Sequence, residues 1–200
     1  MSPSQIYEPT YRAIKQYLMV GRWPSGMRLE AARIAADLQV SPSPVRDCLH
    51  RLAGERMIEA RAREGFHVPH IHGQALRDLL GANLALLLSA LAGAQPCPIS
   101  SEESKPPPDH ATRTSRIFRR IADLSGNSEL VILVDGLSDR LHLLRQLEEG
   151  ALAHPSSELD IIDQTLAQST SVAGLRSVLR AYHRRRQRAA NRLVRMLPAI

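Results

Sequence analysis

Residues 40–52 read VSPSPVRDCLHRL. Pro42 and Pro44 alternate with Ser41 and Ser43 directly ahead of Val45, Leu49 and Leu52, which recur at i, i+4 and i+7. That spacing marks one face of an α-helix. A helix leaves its first N–H groups without intrahelical partners. Ser41 or Ser43 can accept from them, and a first-turn proline sacrifices nothing because its missing N–H was an orphan already. The stretch therefore predicts a helix over 43–54 with a sharply defined start. Arg46 falls in its first turn, where a cation opposes the helix dipole at a cost of about 0.3–1 kcal/mol. The placement makes sense if an anion comes to meet the helix end. The plainer reading is an ordinary capped core helix, and these thirteen residues alone leave both open.

Working outward, helical spacing recurs over 5–20, with Ile6, Ala13, Ile14, Tyr17 and Leu18 apolar. GRWPSG (21–26) breaks it, and a short helix follows over 30–38, joined to the quoted one by Gln39 and Val40. After Gly54 the period changes. MIEAR (57–61) and FHVP (66–69) read as two strands joined by the polar turn AREG. Two short helices with a tight connection make a helix-turn-helix, and a following hairpin makes a wing. In such a motif the second helix lies in the major groove with its N-terminal residues toward base edges. Arg46 and Arg51 would then serve from the helix. Arg61 and Arg63, at the hairpin tip beside Gly65, would reach a backbone or the minor groove.

The stretch GRWPSGMRLEAARIAADLQVSPSPVRDCLHRLAGERMIEARAREGFHVP (21–69), with the helix before it, resembles the GntR family of bacterial transcriptional regulators over about 6–70. The resemblance implies that Ser41, Ser43, Val45 and Arg46 form the recognition-helix contacts, that Arg33 lies near a DNA backbone, and that Gly65 sits at the wing tip. Pro42 stands where the family carries an arginine, Asp47 where it carries glutamate and Cys48 where it carries alanine. The first departure puts the family's common operator sequence in doubt.

The whole chain fits an anionic partner. It has 200 residues, 44% hydrophobic and 23% charged, with formal net charge +6; its pI is near 10.0. Such a balance favours nucleic acid or an acidic membrane surface. Aromatic residues, at 4%, give little for stacking on single-stranded bases. Cys48 and Cys97 form no CxxC pattern, which fits a reducing cytoplasm. The N-terminus lacks the order of a signal peptide. Residues 79–101 are uncharged, but Gly81, Asn83, Ser89 and Gly93 dilute them and Pro96 and Pro98 end them, so a buried or interface helix is expected rather than a membrane span.

The expected fold is mainly α: a winged helix-turn-helix over 1–72, then an all-α helical bundle over 73–200 with a Pro-rich linker or loop at 95–112. Helical patterns cover 74–94, 113–124, 129–148, 158–168 and 172–197. Charge is uneven, with net +3 over 1–72, −5 over 73–172 and +8 over 173–200. Segments at 116–127, 158–167 and 180–185 resemble the FCD type of effector sensor that often follows the GntR domain. That resemblance implies a divalent metal held by one aspartate and three histidines, beside which an organic acid docks. Here those positions read Ser115, Arg119, Leu159 and His183. One ligand of four will not hold a metal, so no metal cofactor is expected. Arg119, Asn127 and His183 remain as effector candidates, Arg119 as a fork donor to a carboxylate. His67, His70 and His72 lack a fourth ligand nearby in sequence. In the last helix Arg176, Arg180, Arg184, Arg188 and Arg192 stack at i, i+4 and are expected to lie against Glu148, Asp160 and Asp163. Cys48 and His50, two apart on a helix, do not face each other, and no acid–base constellation suggests an enzyme.

The residues thus point to a sequence-specific, double-stranded-DNA-binding transcriptional regulator. It would be a cytoplasmic homodimer, acting as a repressor under a small-molecule effector and without a membrane partner. The alternative is a ligand-binding or protein-interaction module that has lost operator recognition.

Overall fold

The computed structural model describes residues 3–93, 109–168 and 172–198. The chain divides into two compact units, Met1–Ile71 with Leu197–Ile200, and His72–Met196.

The first unit runs α1 (Pro3–Met19), β1 (Arg28–Leu29), α2 (Ala31–Leu38), α3 (Pro42–Gly54), β2 (Glu59–Arg61) and β3 (Gly65–His67). The hydrophobic stripes meet in one core of Tyr11, Ile14, Ile34, Val45, Leu49 and Leu52, closed by Leu29 and Ile58. Helix α3 begins at Pro42, one residue before the expected start, and neither serine caps it through its side chain. Ser41 is the N-cap by backbone geometry, extended at φ −76°, ψ 156°, because the residue before a proline is pushed out of the helical region. The α2–α3 connection turns on Gln39 in the left-handed region at φ 56°, and the Val40 N–H closes it by donating to Ala35 O at 3.0 Å.

The wing is three-stranded, in the order β1-β3-β2, all antiparallel. Two strands were expected. Strand β1 pairs Arg28 with His67 and Leu29 with Phe66, and two residues are too few to show an alternating pattern.

The second unit is all helical: α4 (Gly73–Ala92), α5 (His110–Asp123), α6 (Ser128–Gln146), α7 (Glu148–Ala151), α8 (Pro155–Ala167) and α9 (Val172–Arg195). Helix α5 starts three residues earlier than the period suggests. Asp109 caps it, its carboxylate accepting from the Thr112 N–H at 2.7 Å and the Thr112 hydroxyl at 2.9 Å. The Pro-rich assignment over 95–112 thus fails at 110–112, and its stretch up to residue 108 lies outside the described residues. Helix α4 is long and apolar enough to cross a membrane by length and composition. Its inner face nevertheless carries Asn83, fully buried and facing the His183 ring at 3.0 Å, as suits a helix packed in a bundle.

The core of this unit is built on Phe118. Tyr182 meets its ring edge-on at 5.4 Å, and His183 stacks on it at 5.6 Å. Beside them lies a buried ion pair that periodicity does not reveal. Arg186, wholly enclosed, donates to Glu148 Oε2 through Nε at 2.9 Å and Nη2 at 2.7 Å, and to Glu158 through Nη1 at 2.6 Å. His110 Nε2 lies 3.0 Å from the same Glu148 oxygen. Burial pushes the Glu148 carboxyl upward, but the His110 hydrogen bond and the Arg186 charge outweigh it and hold the group below its ordinary range.

Burial drives the His183 imidazole down to about 3. Its Nδ1 lies 2.8 Å from Leu179 O and its Nε2 3.0 Å from Asn83 Oδ1; both are acceptors, and the neutral ring has one N–H to give to one of them. The unfolded chain takes up that proton near pH 6.5, the folded chain only near 3. The stability His183 contributes is therefore whole above about pH 6.5 and drains as pH falls toward 3. His183→Gln is expected to lose less melting temperature than the parent between about pH 6.5 and 4, followed by calorimetry. Parallel acid limbs would contradict this account.

Candidate nucleic-acid interface

Helix α3 has a sharply divided surface. Val45, Cys48, Leu49 and Leu52 are fully enclosed, while Ser41, Pro42, Ser43, Arg46, Asp47 and His50 are exposed. Arg46 has no hydrogen-bond or ionic partner among the described residues, so its guanidinium is available at the helix start. His50, one turn further on, meets Phe66 of β3 edge-on at 4.9 Å and joins the exposed helix face to the hairpin. Sequence reasoning missed His50 as part of this face, although its i+4 spacing from Arg46 was the signal.

The expectation for Val45 needs correction. Its side chain cannot reach a base from the core, because it belongs to the same buried stripe as Leu49 and Leu52. Arg51 is corrected too. It donates to Glu55 at 3.0 Å and Glu8 at 3.3 Å, and its guanidinium lies 3.7 Å from the Tyr11 ring centre. Tyr11 in turn donates to Glu55 at 2.7 Å. Arg51 is thus a clamp between α3 and α1. Cys48 packs as the family's alanine would, and burial pushes its thiol up to about 11, which makes it a poor nucleophile.

At the wing, Arg63 and Gly65 have φ of 65° and 89°. Glycine takes the second conformation without strain, whereas a side chain there would be disfavoured. Arg63 is exposed at the tip and unpartnered among the described residues. Arg61 differs from expectation: Glu59 binds it at 2.8 Å and Glu64 lies at 3.9 Å, so its charge is largely answered within the hairpin. Arg28, on the strand the sequence did not reveal, passes 3.8 Å from where a Cβ on Gly65 would stand, adding a cation to the wing. Arg33 is exposed on α2 and borders a cleft of about 510 Å³ shared with Arg22, Trp23, Arg28 and Asp37.

The proposed effector residues do not converge. Arg119 pairs with Asp135 on the outside of the bundle. Asn127 caps α6, accepting from the Glu129 N–H at 3.0 Å. His183 is in the core. Among the described residues no three His, Cys, Asp or Glu side chains gather to hold a metal ion, and the His183 ring nitrogens face Leu179 O and Asn83 Oδ1. His70 lies 3.1 Å from Ser25, while His72 caps α4 by accepting from the Ala75 N–H. The acidic neighbours expected for α9 are also redistributed. Glu148 does bind it, through Arg186, but Asp160 and Asp163 bind Arg113 and Arg120 of α5 at 2.8 and 2.6 Å. Arg180, Arg184, Arg188 and Arg192 stay exposed without described partners.

An exposed second helix, a tight turn and a basic three-stranded wing define a winged helix-turn-helix of the DNA-binding class. Residues 6–68 match the family model described as bacterial regulatory proteins, gntR family. The N-terminal domain is thus similar to that of GntR-family helix-turn-helix regulators, an all-helical unit follows it, and the family is one of regulators rather than enzymes. The chain is 29% identical over 86 residues to the HTH-type transcriptional regulator BphR of Paraburkholderia xenovorans, a match covering 43% of this chain and 35% of BphR. It is 22% identical over 161 residues to YdhC of Bacillus subtilis, 72% of each chain. A crystal structure of a transcriptional regulator from Rhodococcus sp. RHA1 shares the fold, with TM-score 0.72 and 14% identity over 93% of this chain and 97% of that one.

The two helix arginines separate experimentally. Arg51→Ala should destabilise the fold by about 1 kcal/mol, the scale of one exposed cation–π contact with partly exposed ion pairs. Arg46→Ala should stay within about 0.5 kcal/mol, as for other exposed sites. Urea denaturation reads both.

Proposed function

We propose that the protein is a sequence-specific transcriptional repressor that binds double-stranded DNA through residues 1–72, while residues 73–200 dimerise and receive a small organic-acid effector in the manner of an FCD sensor. The observation that carries the DNA reading is Arg46, unpaired at an exposed helix start whose rotation is fixed by a fully buried stripe. Ser41 and Ser43 flank it for phosphate or base contacts. Arg63, Arg28 and the backbone at Gly65 supply the wing, and Arg33 a phosphate contact. Pro42 removes one donor of the usual recognition set, so the operator differs from the family's common one. The setting is the cytoplasm.

A homodimer matches a palindromic site with half-sites about 34–36 Å apart. Surfaces that a second copy would cover include the outward Ala82 and Ala85 of α4 and the exposed Ile132 and Leu133 of α6. The joint substitution of Ile132 and Leu133 by Asp should raise the monomer fraction in analytical ultracentrifugation if α6 takes part. An unchanged distribution would leave α4.

Selection of genomic fragments on the purified full chain tests the reading, and enrichment of a palindrome is expected. No enriched sequence would favour the alternative, an interaction module that no longer reads DNA. On the selected site, Arg46→Ala should weaken specific binding by about 1–3 kcal/mol. Arg63→Ala should weaken all sequences alike and lower the salt slope by about 1. Arg61→Ala, already neutralised by Glu59, should do less. Gel-shift titrations at several salt concentrations measure all three.

A further inference from the structure

The buried charged side chains of the helical unit are unbalanced. Among the described residues two arginines, Arg145 and Arg186, stand against one glutamate, Glu148. Arg186 is fully answered by Glu148 and Glu158. Arg145 is not. It is 2% exposed and has no carboxylate within ion-pair distance among the described residues. Its one hydrogen bond runs from Nη1 to Ser115 Oγ at 3.2 Å, its guanidinium lies 5.0 Å from the Phe118 ring centre, and Nη2 has no partner. Two turns back on the same face of α6, Ser138 is also 2% exposed and its hydroxyl is likewise unpartnered.

Asn83 Nδ2 and the Tyr182 hydroxyl are also unpartnered in this unit; Arg145 alone of the four carries a charge, and the Ser138 hydroxyl on its own helix can donate. Arginine keeps its proton in proteins. The Glu148 and Asp139 charges act on Arg145 from a distance, but no carboxylate among the described residues bonds it, and a buried cation without a bonded counter-ion is a costly arrangement for a core. An acceptor-rich anion is what the pair lacks. Among the described residues no three ligating side chains gather here, and the His183 nitrogens face Leu179 O and Asn83 Oδ1. We propose that Arg145 anchors a metal-free oxyanion site in the bundle, taking a small carboxylate with Ser138 as second donor, so that a guanidinium stands where related sensors would use a cation. A guanidinium offers N–H groups suited to a carboxylate, and Nη2 is the arm left over once Nη1 has bonded Ser115. The site deepens the effector reading above, and rests on it for its consequence but not for its detection.

The test is thermal denaturation of the full chain in EDTA, at constant ionic strength, with acetate, succinate, citrate or inorganic phosphate at about 10 mM. At least one carboxylate should raise the melting temperature by several degrees. Phosphate acting alone would reassign the anion class and overturn the carboxylate claim. Arg145→Met should melt no lower than the parent in anion-free buffer, since an apolar replacement relieves the unpaired charge, and should lose the response. Should that variant fail to fold, Ser115→Asp decides. It places a carboxylate within reach of Nη1, and should raise the melting temperature without added anion and abolish the shift. The proposal is overturned if no probe shifts the parent, if the shift needs added zinc or nickel, or if both variants respond as the parent does. Fragment selection is scored separately. A carboxylate shift without an enriched operator keeps the site and removes the regulator, and an operator without a shift does the reverse.

Discussion

The rotation of α3 about its own axis is the constraint from which the DNA-facing surface follows. Val45, Cys48, Leu49 and Leu52 all lie at 0% exposure, and burying each large apolar side chain stabilises by about 1.5–3 kcal/mol. No alternative rotation keeps those residues inside. Once they are fixed, the 3.6-residue period sends Arg46, Asp47 and His50 outward without any interaction of their own. The outward face is thus a by-product of the core, and it stays put when its residues change. Arg51 sits at the edge between the two faces, and the clamp on Tyr11 and Glu55 shows how an edge residue is drawn toward the neighbouring helix.

The same geometry explains what could be read from the chain alone. The order of helices and hairpin in the first unit was legible because each element announces itself locally, by a proline break, an apolar stripe or a glycine turn. Which arginines are free was not. Arg46 and Arg61 look alike in sequence, and it is the extended conformation of β2 that sets Glu59 on the same face as Arg61, two residues on. Strand β1 was invisible because its two residues gain their conformation from β3 rather than from any pattern. Val45 stands at a contact position of the resembled family, yet it belongs to the stripe that the core buries.

In the second unit the helices were legible and their polar interior was not. The apolar residues of α9 fix its inner face through Leu175, Leu179, Tyr182 and Leu193. Arg186 lies four residues after Tyr182, so it shares that face and is carried inside, where Glu148 and Glu158 receive it. The visible ladder from Arg176 to Arg192 drew attention to the opposite side of the helix. Arg145 is inconspicuous in the sequence for a similar reason, since an arginine in the last turn of a helix suits the dipole there.

Magnitudes separate the two arginine features of this unit. The exposed ladder of Arg180, Arg184, Arg188 and Arg192 makes three like-charge pairs, each unfavourable by about 0.2–0.5 kcal/mol and screened by salt. Burying the four large residues on the other face of α9 gains several times that amount, at about 1.5–3 kcal/mol each. The ladder therefore persists in water with no partner required, and its exposure calls for no ligand. Arg145 has no such solvent to fall back on. With Nη2 enclosed and unbonded, its charge has a neutral hydroxyl as its hydrogen-bond partner and no carboxylate at ion-pair distance among the described residues, and removing water from a charge outweighs any plausible sum of surface repulsions. Fewer charges are involved, yet the buried one makes the larger demand on whatever anion comes to meet it.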